Sequence, residues 1–100
     1  MTDFPQATCD LISEDSRVRV TRWTFTNGQA TGMHTHQYDY VAIPITGGAF
    51  HVFMGDGTEL DMTQIAGEPY SRQAGVHHNV QCVDDNRAVF VEVEFLTSTT

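Results

Sequence analysis

The residues best suited to chemistry in this chain are histidines, and four of the five fall in two short clusters. His34 and His36 stand two apart in Met33-His34-Thr35-His36, and His77-His78 follow the Ala74-Gly75 pair. Side chains alternate along an extended strand, so His34 and His36 leave the same face and can chelate one ion. The same alternation sends His77 and His78 to opposite faces, so only one of them can join the first pair. Neutral imidazole binds Fe, Zn, Ni and Cu and, with oxygen ligands, Mn. A two-plus-one arrangement of histidines therefore fits one divalent transition metal.

Strands and turns must position these residues. Residues 17–25 alternate apolar and polar, with a phase slip between Val20 and Trp23 that suggests a bulge near Thr21 or Arg22. Asn27-Gly28 is the strongest short turn signal. Residues 38–45, 49–54, 59–64, 70–73, 77–83 and 88–96 read as further strands. They are separated by Gly47-Gly48, Gly55-Asp56-Gly57, Gly67-Glu68-Pro69, Ala74-Gly75 and Asp84-Asp85-Asn86. Short strands at this spacing predict an all-β sandwich or barrel, because a parallel α/β sheet needs helical crossovers for which there is no room. The 100 residues suit one domain, 1–100, with frayed ends expected at about 1–7 and 97–100. In such a barrel His51 reads as a hydrogen-bonded barrel histidine, and His77 as outward-facing or supporting.

Composition narrows the chemistry. Thirteen Asp and Glu face five Arg and no Lys, for a net charge of -8. That field repels nucleic acid, and no basic cluster exists to bind phosphates or anionic lipid. Without lysine, Schiff-base catalysis is excluded. No Gly-x-Ser-x-Gly elbow supports a hydrolase, and Gly55-Asp56-Gly57, with no helix after it, reads as a hairpin turn and not a phosphate cradle. Cys9 and Cys82 are far apart, as suits a reducing compartment, and Cys82 reads as a small buried hydrophobe. The opening Met1-Thr2-Asp3-Phe4-Pro5-Gln6 has neither a basic start nor an apolar run, so a cytoplasmic location is expected.

The spacing resembles that of the cupin superfamily. Its first motif reads Gly, five residues, His-x-His, three or four residues, Glu, six residues, Gly. Here Gly28, His34, His36, Tyr40 and Gly47 stand at those positions, with Tyr40 in place of Glu and Asp39 before it. The second motif reads Gly, five residues, Pro-x-Gly, two residues, His, three residues, Asn. Gly67, Gln73, Gly75, His78 and Cys82 occupy it, so Gln73 replaces Pro and Cys82 replaces Asn. The stretches His-x-His-x-x-Asp-Tyr-Val and Ala-Gly-x-x-His-Asn-Val are also similar to those of a group of small stand-alone cupins that includes a beta-alanine degradation protein.

The resemblance implies a double-stranded β-helix (jelly-roll barrel) with one metal held by His34, His36 and His78. A set of three histidines without the Glu resembles the iron sites of thiol and diketone-cleaving dioxygenases, which makes iron the first expectation and Zn, Ni or Mn the others. In strand register Tyr40 shares the face of His34, His36 and Tyr38, while Asp39 points away. Tyr40 is the candidate catalytic residue, as general acid or base or as a tyrosinate ligand; its plainer role is a cavity wall. Glu92 and Glu94 share a face and can supply a carboxylate across the barrel, or sit at an edge and pair with Arg. Arg72 can clamp a substrate carboxylate or form an ordinary ion pair. The functional expectation is a metal-dependent enzyme, dioxygenase-like first and lyase or isomerase second, acting on a small polar metabolite. The alternatives are a non-catalytic metal or ligand-binding module of a catabolic pathway, or a barrel with a decayed site kept for its interactions. A homodimer is expected because exposed sheet edges need cover.

Overall fold

A computed structural model of the protein describes residues 4–97, and among them the chain forms strands and turns without helix. The strands are β1 (Thr8–Glu14), β2 (Val18–Phe25), β3 (His34–Thr35), β4 (Tyr40–Pro44), β5 (Gly48–Met54), β6 (Glu59–Gln64), β7 (Tyr70–Arg72), β8 (His77–Cys82) and β9 (Ala88–Phe95). They build two antiparallel sheets, β1-β2-β9-β4-β7 and β3-β8-β5-β6, packed face to face. This is the expected all-β jelly roll.

Period-two alternation decides what lies between the sheets. In β4, Tyr40, Ala42 and Pro44 are buried while Val41 and Ile43 are only partly so. Phe25, Phe50 and Phe90 meet at the centre, with ring centroids 5.2 to 5.9 Å apart, and Cys82 is sealed beside them as a small hydrophobe. Residues directly opposite one another share a face, so the registers define inward rows across the five-stranded sheet. The first row is Trp23, Phe90 and Pro44; the second is Thr21, Glu92, Ala42 and Tyr70; the third is Arg19, Glu94, Tyr40 and Arg72. The inner wall thus changes from aromatic to polar over two steps of the pleat. On the facing sheet His34, His78 and Met54 form one row, and Val80 and Val52 the next. The polar ends of the two walls enclose the site.

Several expectations require correction. β2 pairs with β9 without interruption, and the bulge lies in β1, between Leu11 and Ser13. An edge strand can absorb the extra residue, Ile12, without breaking bonds on two sides. The apparent phase slip arises because Arg19 and Thr21 face inward with Trp23. Arg19 is accommodated by Glu14 at 2.9 Å and Glu94 at 3.5 Å. Phe4 to Ala7, expected to fray, is tied down. The Ala7 amide donates to the Ala30 carbonyl at 2.9 Å, Ala30 returns a bond to Pro5, and Phe4 lies against Phe53 at 5.5 Å. Residues 1–3 and 98–100 lie outside the described residues, and Thr97 sits in an exposed bend. The turn at Asn27-Gly28 is closed by Gln29 donating to the Thr26 carbonyl, and Gly55-Asp56-Gly57 closes the β5–β6 hairpin. His51 is the hydrogen-bonded barrel histidine that was expected: it lies on the outer face of β5, between the carboxylates of Glu59 and Asp61 at 2.8 Å each.

Candidate metal centre

β3 is only two residues long, yet it sets the site. Its pairing with β8 places His34 directly opposite His78, so the two imidazoles leave adjacent strands on one face. His36 lies just beyond the strand and is held by its backbone, which donates to the Val76 carbonyl at 2.9 Å and accepts from Gly75 at 2.8 Å. Nε2 of His34 is 3.0 Å from Nε2 of His36, and Nε2 of His36 is 3.2 Å from Nε2 of His78. The three ligand atoms all lie within 4.8 Å of one another.

Two of the three rings are braced from behind. The Gly32 carbonyl, with φ at +86° in a region that favours glycine, accepts from Nδ1 of His34 at 2.8 Å. That fixes the proton on Nδ1 and leaves the Nε2 lone pair pointing into the cluster. Asn79 in turn accepts from the Gly32 amide at 3.0 Å. The His36 ring stacks on Tyr40, centroids 4.0 Å apart at 21°, and His34 stacks on Trp23 at 6.5 Å. Burial, with the neighbouring His34 charge next, lowers the His36 pKa to about 4 and that of His78 to about 3. Both are therefore neutral ligands at physiological pH.

The donor set fits a transition-metal ion. Metal–nitrogen bonds of about 2.0–2.1 Å put ligands at right angles roughly 3 Å apart, close to the two short Nε2 separations. His34, His36 and His78 would hold the ion, with no carboxylate in the cluster among the described residues. His77 does not join them. Its exposed ring turns away, with Nδ1 2.6 Å from the Thr35 hydroxyl, and packs on Gly55, where any Cβ would collide with it.

Tyr40 reaches the cluster by a different route from the one its register in a single strand implied. The chain bends after Thr35 and enters the other sheet at Tyr40, so the phenol meets His36 across the interior. Tyr40 is 3% exposed, and burial followed by the nearby Glu92 charge raises its pKa. Without a bound cation it is held as the protonated phenol. Asp39 points away, as the alternation requires, and its carboxylate accepts from the Ala74 amide at 2.8 Å, fixing the turn that delivers β8.

Glu92 and Glu94 have separated roles. Glu94 takes the Arg19 ion pair, whereas Glu92 is 9% exposed and inside the barrel. Desolvation, reinforced by the Glu94 charge and opposed by the Trp23 indole, pushes the Glu92 carboxyl up to about 7. It lines a cavity of about 340 Å³ together with His34, His78, Tyr40, Tyr70 and Arg72, over an apolar floor from β5, β6 and β8. Tyr70 and Gln64 were not singled out in the sequence; the Gln64 amide donates to the Tyr70 hydroxyl at 2.9 Å and steadies this wall.

No protein-family model matches the chain. It is 38% identical over 94 residues to the beta-alanine degradation protein BauB of Pseudomonas aeruginosa, covering 94% of this chain and 98% of that protein. The crystal structure of a cupin domain from Bordetella pertussis superposes with a TM-score of 0.88 at 36% identity, covering 95% of this chain and 98% of that one. An RmlC-like cupin with a double-stranded β-helix fold from Methanocaldococcus jannaschii shares the fold at 12% identity, with a TM-score of 0.74 over 95% of this chain and 90% of the other. With one relative at this identity along nearly its whole length and a solved cupin domain as similar, the chain belongs to the cupin superfamily, as one of its small cupin-domain proteins.

Proposed function

We propose that the protein is a metal-dependent enzyme of the oxygenase type, acting on a small polar metabolite held in the cavity beside His34, His36 and His78. The observation that carries this reading is a cluster of three imidazoles, free of carboxylate among the described residues, beside a cavity large enough for a small molecule. Iron is the metal we favour, with zinc, nickel or manganese as alternatives. When bound, such a cation supplies a Lewis-acidic centre able to gather a chelating substrate and oxygen. The protein's own groups orient and exclude. Tyr40, kept protonated, is a hydrogen-bond donor and a candidate general acid, and the apolar floor keeps water from the reacting groups. The relative named for beta-alanine degradation supports a small catabolic metabolite as substrate.

A second reading is a non-catalytic ligand-binding module of a catabolic pathway. It is favoured by the protonation of the wall: with Tyr40 neutral and Glu92 half ionised near pH 7, no strong general base stands beside the cluster. Either protein would act in the cytoplasm, without nucleic acid or membrane. We place a homodimer contact at β1, an edge strand on which Leu11 and Ile12 are exposed.

The test is metal content by mass spectrometry on untagged protein purified without chelator, wild type beside His78→Ala, followed by oxygen uptake with small carboxylates and thiols. Near-stoichiometric iron that is lost in His78→Ala, together with substrate-dependent oxygen uptake, is expected. Metal without turnover would move the binding module ahead, and absence of metal after reconstitution would overturn both metal readings.

A further inference from the structure

Arg72 occupies an unusual position for a cation in so acidic a chain. It stands directly opposite Tyr40 in the β4–β7 register, on the inward side of the five-stranded sheet. Arg72, Tyr40 and Val76 line both the cavity and an open surface depression beside it, which makes them the doorway between the two. Arg19 and Arg22 are each paired with carboxylates, whereas the Arg72 guanidinium, like those of Arg17 and Arg87, has no acidic partner among the described residues. It is nevertheless held in place. Nη1 donates to the Ser71 carbonyl at 2.8 Å, and the guanidinium lies over the Tyr70 ring, 4.6 Å from its centroid. The Tyr70 ring is itself steadied by Gln64.

We propose that Arg72 is the carboxylate-anchoring residue of the cavity, and that its ligands are small carboxylates gripped at the doorway with their other end directed toward His34, His36 and His78. This rests on the metal-centre reading above and adds the ligand class to it. A planar guanidinium with its remaining N–H groups free matches a carboxylate with two parallel hydrogen bonds, which an ammonium group cannot reproduce. The need for a local anchor follows from the net charge of -8, since the overall field repels an anion and only a cation at the entrance can reverse this locally. The cavity volume of about 340 Å³ limits the ligand to a small molecule.

The test is calorimetric titration of propionate and of propionamide, its neutral isostere, into wild type, Arg72→Gln and Arg72→Lys in a carboxylate-free buffer. Each protein is run both loaded with zinc and stripped of metal, and metal content and urea midpoints are recorded alongside. Arg72 is on the exposed side of the doorway, so both variants are expected to fold and to retain metal as wild type does. Wild type should prefer propionate to propionamide in both forms. Arg72→Gln should weaken propionate about tenfold or more and leave propionamide unchanged, with Arg72→Lys in between. Equal binding of acid and amide by wild type, no binding of either, or propionate binding in Arg72→Gln equal to wild type would overturn the proposal. If zinc fails to bind but the stripped protein keeps an Arg72-dependent preference for propionate, the metal reading falls and the anchor stands. If zinc binds and propionate affinity ignores Arg72, the metal reading stands and the anchor falls.

Discussion

Replacing Glu92 by Gln keeps the shape of the side chain and removes its titration, and the structure sets the size of the effect. The carboxyl ordinarily titrates near 4.5 and in the fold near 7, chiefly because burial disfavours its charge and Glu94 stands close by. A raised folded pKa means that the fold prefers the proton. The stability associated with it is fully present below pH 4.5 and is lost as the pH climbs to about 7. At about 1.4 kcal/mol per unit, the gap corresponds to about 3 kcal/mol on the alkaline side. Glu92→Gln is therefore expected to be about 3 kcal/mol more stable than wild type at roughly pH 8 and equal to it within a few tenths at roughly pH 4. The assay is urea unfolding of both proteins, stripped of metal, across that range. His36 and His78 also titrate on the acid side, but they do so in both proteins and cancel in the difference. Equal stability at alkaline pH would refute the reasoning. A gap that does not shrink on acidification would assign the effect to packing instead of charge.

Other consequences can be checked in the same way. Gly55→Ala forces a methyl group into the His77 ring, whose Cγ would lie 2.9 Å away; it should cost about 1–3 kcal/mol in urea unfolding by displacing the ring from Thr35. The His51 pKa is raised by Glu59 and then Asp61, so its contribution is fully present below about pH 6.5 and fades as the pH rises through the raised value. His51→Ala should consequently lower the urea midpoint at mildly acidic pH and leave it unchanged at alkaline pH. Tyr40→Phe retains the ring stacked on His36 and removes only the hydroxyl. If the phenol serves as general acid, oxygen uptake should fall about a hundredfold with metal content unchanged.

Much of the site was legible because its determinants are local. His-x-His in extended backbone specifies one face, and glycine-marked turns specify where strands stop, so the pairing of His34 with His36 follows from spacing, while the resemblance to the second cupin motif chose His78 over His77 as the third member. Asp39 followed the same alternation. What could not be read depends on register between distant segments. The placement of Glu92 inside the barrel and of Glu94 in an ion pair is set by which residues of β2 and β4 stand opposite β9. Tyr40 was expected on the face of the histidines, but the crossing between sheets brings it to them from the opposite wall. β1 was not foreseen as a strand because all seven of its residues are exposed and it has no apolar face to bury. The segment from Phe4 to Ala7 owes its order to Ala30 and Phe53, partners that composition cannot identify.

The pairing of His36 with His78 also has a meaning for the chain as a polymer. These residues are 42 positions apart, and the segment between them carries β4, β5, β6 and β7. An ion held by both would act as a clip across that loop. Closing a loop of this length removes about 4 kcal/mol of chain entropy from the unfolded state when the clip is covalent, which sets the upper scale for a metal bridge. The same three imidazoles that bind the ion would then determine how far the protein can open without losing it, and the two-residue strand β3 would owe its attachment to the sheet as much to the clip as to its own backbone bonds.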